Sequence, residues 1–424
     1  MLYWRNRFAI ILATCFFACS SFAQATYYLT AARVFDGDQL HDNWAIVIKG
    51  NTIVAVGSAS TTTMPLGAIK VNYPNATITP GLIEGHSHML LYPYNIKDWD
   101  TQVTKETDAY RTIRATVHAK NTLLAGFTTA RDLGSEGAGY ADVALKKSIE
   151  DKIIIGPRLL VAGRAIVATG SYGPKGFDLD QEIMLGAEAA DGMTLPRVVR
   201  DQIGKGADLI KVYADYRWGP NDEARPTFTL EELKLINDIT VSSGRVMVCH
   251  AKTNEAITRA VLAGAATIEH GDDLDAATAQ LMKSKGTVYI PTLAATESTS
   301  QYKGWKKGTD PEPAVVTNKH RAFKIAMDAG LIIGMGGDVG VFAHGNNVLE
   351  MELMVSYGMK PLDVLKAATS VNAKGFQLEN EVGKLAIGMK ADIAIFSGDP
   401  SVNIADCRKV LLVMKDGVIY RQEK

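Results

Sequence analysis

Between residues 82 and 338 the chain alternates short apolar runs with amphipathic stretches, each long enough for one helix. Strand candidates fall at residues 82–88, 128–133, 158–162, 209–213, 246–250, 267–270, 288–293 and 332–338. Helical spacing is clearest at 254–263, where Ala256, Ile257, Ala260, Val261 and Ala263 recur on one face. Parallel strands need crossovers of roughly a dozen residues or more, and this alternation supplies them. Eight such units predict an α/β fold, a (β/α)8 TIM barrel, over an open sheet.

Both ends of the chain read differently. Short β-type runs at 27–35, 44–48 and 52–56 are punctuated by Asp36-Gly37 and Gly50-Asn51. Similar runs return at 392–396 and 410–414, with Asp416-Gly417 as a turn before 418–420. They predict one small composite β-sandwich domain built from residues 24–79 and 376–424, with the barrel at 80–375. Ahead of it, Arg5 and Arg7 precede an apolar stretch at 8–22 and the small-residue pattern Ser21-Phe22-Ala23. This predicts a signal peptide over residues 1–23, and so a periplasmic or secreted protein. The apolar run is shorter than the ~20 residues of a bilayer span, so no membrane association is expected after cleavage.

With 47% hydrophobic and 21% charged residues, the composition supplies a large core and excludes a disordered chain. A formal net charge of -1 offers no basic field for nucleic acid. A homo-oligomer is compatible with this composition. Beyond the signal segment only Cys249 and Cys407 remain, which is no disulfide framework. Cys249 alternates with His250 on a strand, so it faces the helices when His250 faces the barrel.

Chemistry-bearing residues gather at the strand ends. His86 and His88 are two apart, so both side chains leave one face and can chelate one ion. His250 and His270 end the fifth and sixth strands and suit a second ion. Asp338 closes the eighth strand after Gly334, Gly336 and Gly337, where a carboxylate can bind metal and move protons. In a barrel these carboxyl ends converge on one face.

Lys211, in the fourth strand, needs separate treatment, because an ammonium group repels cations and has no lone pair to donate. Reaction with CO2 would convert it to a carbamate, an anionic two-oxygen ligand able to bridge two ions about 3.5–4 Å apart. The competing reading is a buried ion pair between Lys211 and Asp338. Imidazole-rich ligands favour zinc.

For substrate, Tyr213 lies two residues beyond Lys211 on the same face, and Arg217 and His344 follow in loops above the fourth and eighth strands. They could bind a free carboxylate, Arg217 by two parallel hydrogen bonds, or be ordinary packing and surface pairing. Glu84 shares the His86 face, either orienting a ligand or forming a salt bridge at the barrel floor. Leu90, Leu91, Tyr92, Tyr94 and Trp99 follow the His pair as pocket wall or loop packing. His41, His118 and His320 fit no strand end.

The runs Thr79-Pro80-Gly81-Leu82-Ile83-Glu84-Gly85-His86-Ser87-His88, Ala125-Gly126-Phe127-Thr128-Thr129, Gly206-Ala207-Asp208-Leu209-Ile210-Lys211, Ile268-Glu269-His270-Gly271 and Gly383-Lys384-Leu385-Ala386-Ile387-Gly388-Met389-Lys390-Ala391-Asp392 form a specific set. On these the mature chain resembles the metal-dependent amidohydrolase superfamily. Within it the chain is similar to the Xaa-Pro dipeptidase and imidazolonepropionase-like branch, and to secreted amidohydrolases that cleave ochratoxin. That nearer likeness rests on residues 212–220 and 168–174. The resemblance implies a binuclear zinc site, a carboxylated Lys211 and Asp338 as the proton-transfer residue. Basic-residue carboxypeptidases of the superfamily carry a His-containing motif where this chain has Ser171-Tyr172. The expected activity is hydrolysis of an amide in small N-acyl amino acids or dipeptides with a free carboxylate. Ochratoxin-like N-acyl-phenylalanine amides fall within that class. The alternatives are hydrolysis of a cyclic amide or lactone, and a non-catalytic periplasmic metal-binding protein.

Overall fold

The computed structural model describes residues 25–178 and 180–423. The signal-peptide expectation for residues 1–23 lies outside the described residues. Among these no helix is long and apolar enough to cross a membrane.

The middle of the chain forms a TIM-barrel-like α/β fold. Its first stave, Leu82–Ser87, pairs parallel with Phe127–Asp132, which pairs with Arg158–Val161. The third stave resumes as Ile166–Val167, and Ile166 pairs with Val212 of the fourth, Ile210–Tyr213. Met247–Ala251, Thr267–His270 and Val288–Ile290 follow in parallel register. Single bridges from Tyr289 to Ile333 and from Ser87 to Val339 carry the ladder through residues 332–339 back to the first stave. The amphipathic reading of 254–263 holds: helix Asn254–Leu262 is capped by Thr253 and buries Ala256, Ile257, Ala260 and Val261.

Two staves differ from expectation for steric reasons. The seventh stops at Ile290, because Thr292 takes a left-handed backbone (φ 51°) and a helix begins at Leu293. The eighth is no regular strand, only a run touching its neighbours at single bridges. Glycine lets it press into the gap between staves seven and one. A Cβ on Gly336 would lie 2.6 Å from Ile290 Cγ2 and 2.8 Å from the His86 amide nitrogen.

Strands from both ends of the chain join in one mixed eight-stranded sheet. Thr26–Phe35 pairs antiparallel with Trp44–Lys49 and parallel with Ile69–Pro80, and Ile393–Ser397 adds antiparallel to Ile69–Pro80. One face turns Leu29, Ile46, Ile53, Ile78, Ile395 and Leu412 into a common, fully buried cluster. The sheet also curls, since the Asp416-Gly417 turn packs against Gly50 of the opposite hairpin. The two layers expected of a sandwich are thus one continuous hydrogen-bonded sheet folded over its own core.

Candidate active site

Five of the six metal-ligand candidates sit at or next to the carboxyl ends of their staves, Lys211 lies one residue into Ile210–Tyr213, and two of the five take their place at a conformational cost. His270 (φ 74°) and Asp338 (φ 62°) have left-handed backbones. Such a conformation costs a non-glycine residue about 1–3 kcal/mol and persists where the surroundings enforce it. The Asp338 amide donates to the His86 carbonyl (2.8 Å), which locks stave eight against stave one. Glu84 reinforces this join: its carboxylate accepts from the amides of His86 (3.0 Å) and Gly337 (2.8 Å) and from Asn347 Nδ2 (2.9 Å). Burial pushes its pKa up to about 7. It therefore orients ligand-bearing backbone and forms no salt bridge.

His86, His88 and Asp338 come together as a group whose ligand atoms lie within 4.8 Å of one another. Asp338 Oδ1 is 3.6 Å from His86 Nε2 and 3.4 Å from His88 Nε2. The other ring nitrogens are held from behind, His86 Nδ1 by Glu269 Oε2 (2.8 Å) and His88 Nδ1 by the Gly134 carbonyl (3.0 Å). This leaves both Nε2 atoms facing Asp338. Glu269 also accepts from Arg131 Nη2 (2.8 Å) and Thr267 Oγ1. A carboxylate behind a histidine in this way fixes its tautomer and raises its basicity as a ligand.

His250 and His270 pack beside this group, with ring centroids 4.4 Å apart and His270 5.2 Å from His86. His270 Nδ1 is hydrogen-bonded to Thr292 Oγ1 (2.8 Å), and His250 Nε2 lies 3.5 Å from Asp215 Oδ1. Burial holds His86 near a pKa of about 4 and both His250 and His270 well below the usual imidazole range. All three are neutral at physiological pH, the form that binds metal.

Lys211 is wholly buried, and among the described residues its Nζ has no hydrogen-bond partner. Burial lowers its pKa, while Glu269 and Asp338 pull the other way. A charge on it would depress both His86 and His250. Asp338 Oδ1 and Asp215 Oδ1 are likewise buried without partners. An unpaired buried polar atom costs about 1–3 kcal/mol, and three such atoms among residues of the histidine cluster fit a cation-binding centre. The proposed Lys211–Asp338 ion pair is not formed.

A cavity of about 420 Å³ opens onto this group and is lined by Tyr213, Arg217 and Lys252 besides the histidines. Tyr94 and Trp99 of the loop after His88 also line it, whereas Leu90, Leu91 and Tyr92 are buried in packing. His344 is not at the site. The loop after stave eight turns beneath residues 88–91, where His344 Nε2 bonds the Leu91 carbonyl (3.1 Å) and its ring stacks on His118 at 4.4 Å. Arg217 lies at the rim, 5.5 Å from the Tyr216 ring centroid. The sequence reading passed over Glu269, Glu136, Tyr172 and Lys252. A larger cavity of about 880 Å³ lies toward the small sheet, where Arg158 pairs with Asp392 (2.6 Å) and Asp416 (2.7 Å) and Lys390 with Glu381 (2.5 Å). Cys249 is an inert buried thiol, its pKa pushed up to about 12 by burial.

The model of the amidohydrolase family matches residues 77–420, which takes in every residue of this centre. The chain belongs to the amidohydrolase family. It is 28% identical over 417 residues to ochratoxinase of Aspergillus niger, covering 91% of this chain and 84% of that one. The solved structure of a Xaa-Pro dipeptidase with bound methionine in its active site superposes with a TM-score of 0.82 at 27% identity, over 94% of this chain and 100% of that one. The crystal structure of A. niger ochratoxinase gives a TM-score of 0.80 at 27% identity, over 94% and 96%. The amidohydrolase fold and its hydrolytic chemistry are accordingly those of this chain, and the group of His86, His88 and Asp338 is one that could hold a metal ion.

Proposed function

We propose that this amidohydrolase is a binuclear enzyme cleaving the amide bond of small N-acyl amino acids or dipeptides with a free carboxylate. The observation that carries the reading is Lys211 Nζ, wholly buried and unpartnered among the described residues, on the stave next to the one that carries His250. A neutral lysine amine is what CO2 adds to, and the resulting carbamate would bridge two ions. His86, His88 and Asp338 would hold one, His250 and His270 the other. Zinc suits this imidazole-rich set. Divalent ions bound there would polarise the scissile carbonyl and acidify water.

The chain's own residues supply the rest. Asp338 Oδ1, free of hydrogen bonds, takes the proton of the attacking water and delivers it to the leaving nitrogen. Glu269 and the Gly134 carbonyl hold the His86 and His88 rings in register. Arg217 and Lys252, the latter 3.5 Å from Asp272, are the cations that line the cavity for a substrate carboxylate. The names of the relatives, ochratoxinase and Xaa-Pro dipeptidase, support an amide substrate of this size. The closed ring of staves is read as a full (β/α)8 barrel, and the signal-peptide pattern puts the enzyme in the periplasm or outside the cell.

Elemental analysis of protein purified without chelator, together with a hydrolysis screen over dipeptides and N-acyl amino acids, tests the reading. Two divalent ions per chain and turnover of at least one member are expected. A reproducible single ion refutes the bridged centre, and a metal-replete protein that turns over none of these compounds refutes the proposed substrate class.

A further inference from the structure

One wall of the substrate cavity is built around Glu136, a residue outside the metal group. Glu136 is 2% exposed and lines the cavity beside His88, whose Nδ1 lies 3.7 Å from Glu136 Oε1. Its carboxylate accepts from Trp99 Nε1 (2.9 Å), Tyr172 Oη (2.8 Å) and Tyr213 Oη (3.1 Å). Among the described residues no lysine or arginine side chain pairs with it. The nearby guanidinium of Arg111 bonds the Glu136 backbone carbonyl (2.7 Å). Its backbone is left-handed (φ 49°), so the chain is held in an unfavourable turn that points this carboxylate inward.

The hydrogen-bond arithmetic is what matters. An ionised carboxylate only accepts, and a tyrosine hydroxyl or an indole has one proton to give. With all three protons directed at Glu136, and the two tyrosine hydroxyls 3.5 Å from each other, neither Tyr172 nor Tyr213 has a proton left to give the cavity. This wall offers negative charge and acceptors, and no donors. Aromatic rings frame it, with Tyr172 centroids 5.3 Å from Trp99, 4.6 Å from Tyr213 and 4.8 Å from Tyr216. A carboxylate ringed by aromatic faces suits a cation on both counts. It also argues that Tyr213 does not donate to a substrate carboxylate, leaving that task to Arg217 and Lys252.

We infer that Glu136, with Tyr172 and Tyr213, is the specificity determinant that recognises a protonated amine on the substrate. Resting on the hydrolase reading above, this narrows the substrate class to aminoacyl compounds such as dipeptides, over N-acyl amino acids that lack an amine.

The test compares alanylphenylalanine with N-propionylphenylalanine, which differ only by the ammonium group, in the wild type and in Glu136→Gln. Both kcat/KM and calorimetric binding are measured on metal-loaded protein, with metal content checked. The wild type should favour the amine form by about ten- to hundredfold, the range of a charged hydrogen bond. In E136Q that ratio should collapse toward one with metal content kept. A wild type indifferent to the amine, or an E136Q variant that weakens both compounds equally, overturns the inference and makes Glu136 a structural hub only. If the wild type hydrolyses neither compound yet binds the amine form more tightly, and E136Q abolishes that difference, the proposed substrate class fails and the role of Glu136 stands.

Discussion

Replacing Glu269 with Gln removes a charge while keeping shape, and the structure sets what that costs. Burial alone would raise the Glu269 pKa, yet Arg131 and the His86 hydrogen bond hold it down to about 2, against an ordinary value of 4.5. Each pKa unit is worth about 1.36 kcal/mol, so the ionised carboxylate contributes roughly 3 kcal/mol at neutral pH. That agrees with the roughly 3–5 kcal/mol lost when a buried ion pair loses one partner, here by stranding Arg131. At about 2.1 cal/mol/K of unfolding entropy per residue, a chain of 424 residues should melt about 4 °C lower. Since the folded pKa is depressed, the contribution is complete above pH 4.5 and disappears as pH falls through about 2. The gap between wild type and variant should therefore narrow below pH 4.5. Thermal melts in chelator isolate this effect from metal binding. Chelator competition should separately show metal affinity reduced by roughly 10–100-fold through the loosened His86 ring. A variant melting with the wild type at neutral pH and binding metal equally well would refute the account of Glu269.

Lys211→Ala should lose most activity and much of its metal content, with short carboxylic acids partly restoring turnover in place of the carbamate. Full metal occupancy and activity would make Lys211 structural. Gly336→Ala should destabilise the protein by roughly 1–3 kcal/mol, because the added methyl meets Ile290 and the His86 backbone. A thermal melt checks this, and an unchanged midpoint would show that stave eight is less tightly seated than its contacts imply.

Regular geometry was legible in the sequence. The period of two placed His86 with His88, and Lys211 with Tyr213, on shared faces, and strand-helix alternation brought the six ligand candidates to one end. What escaped was local departure from that period. Glu269 and His270 are neighbours, which on a regular strand face opposite ways. The left-handed backbone of His270 lets both meet His86, one by hydrogen bond and one ring to ring. Glu136 sits in a left-handed turn beyond the second stave, with no periodicity to mark it. His344 was placed by closeness in sequence to Asp338, a guide that fails once a loop doubles back. The eighth strand was misjudged for a related reason, since three glycines in seven residues signal tight approach before they signal a ladder.

The small sheet has a bearing on how the chain is made. Ile78, near the start, is paired in register with Ile395, near the end, so the strand Ile69–Pro80 waits for nearly the whole polypeptide before its second edge is covered. Until then the growing chain carries an open, apolar strand edge of the kind that recruits other chains. Pairing so distant in sequence is also slow to form. For a polypeptide threaded through a membrane before folding, that delay keeps one edge of Ile69–Pro80 uncovered until the last strands emerge. For a ribosome that stops early it is a liability: any product ending before Ile393 keeps its barrel staves but leaves a bare edge, and is marked for aggregation or proteolysis.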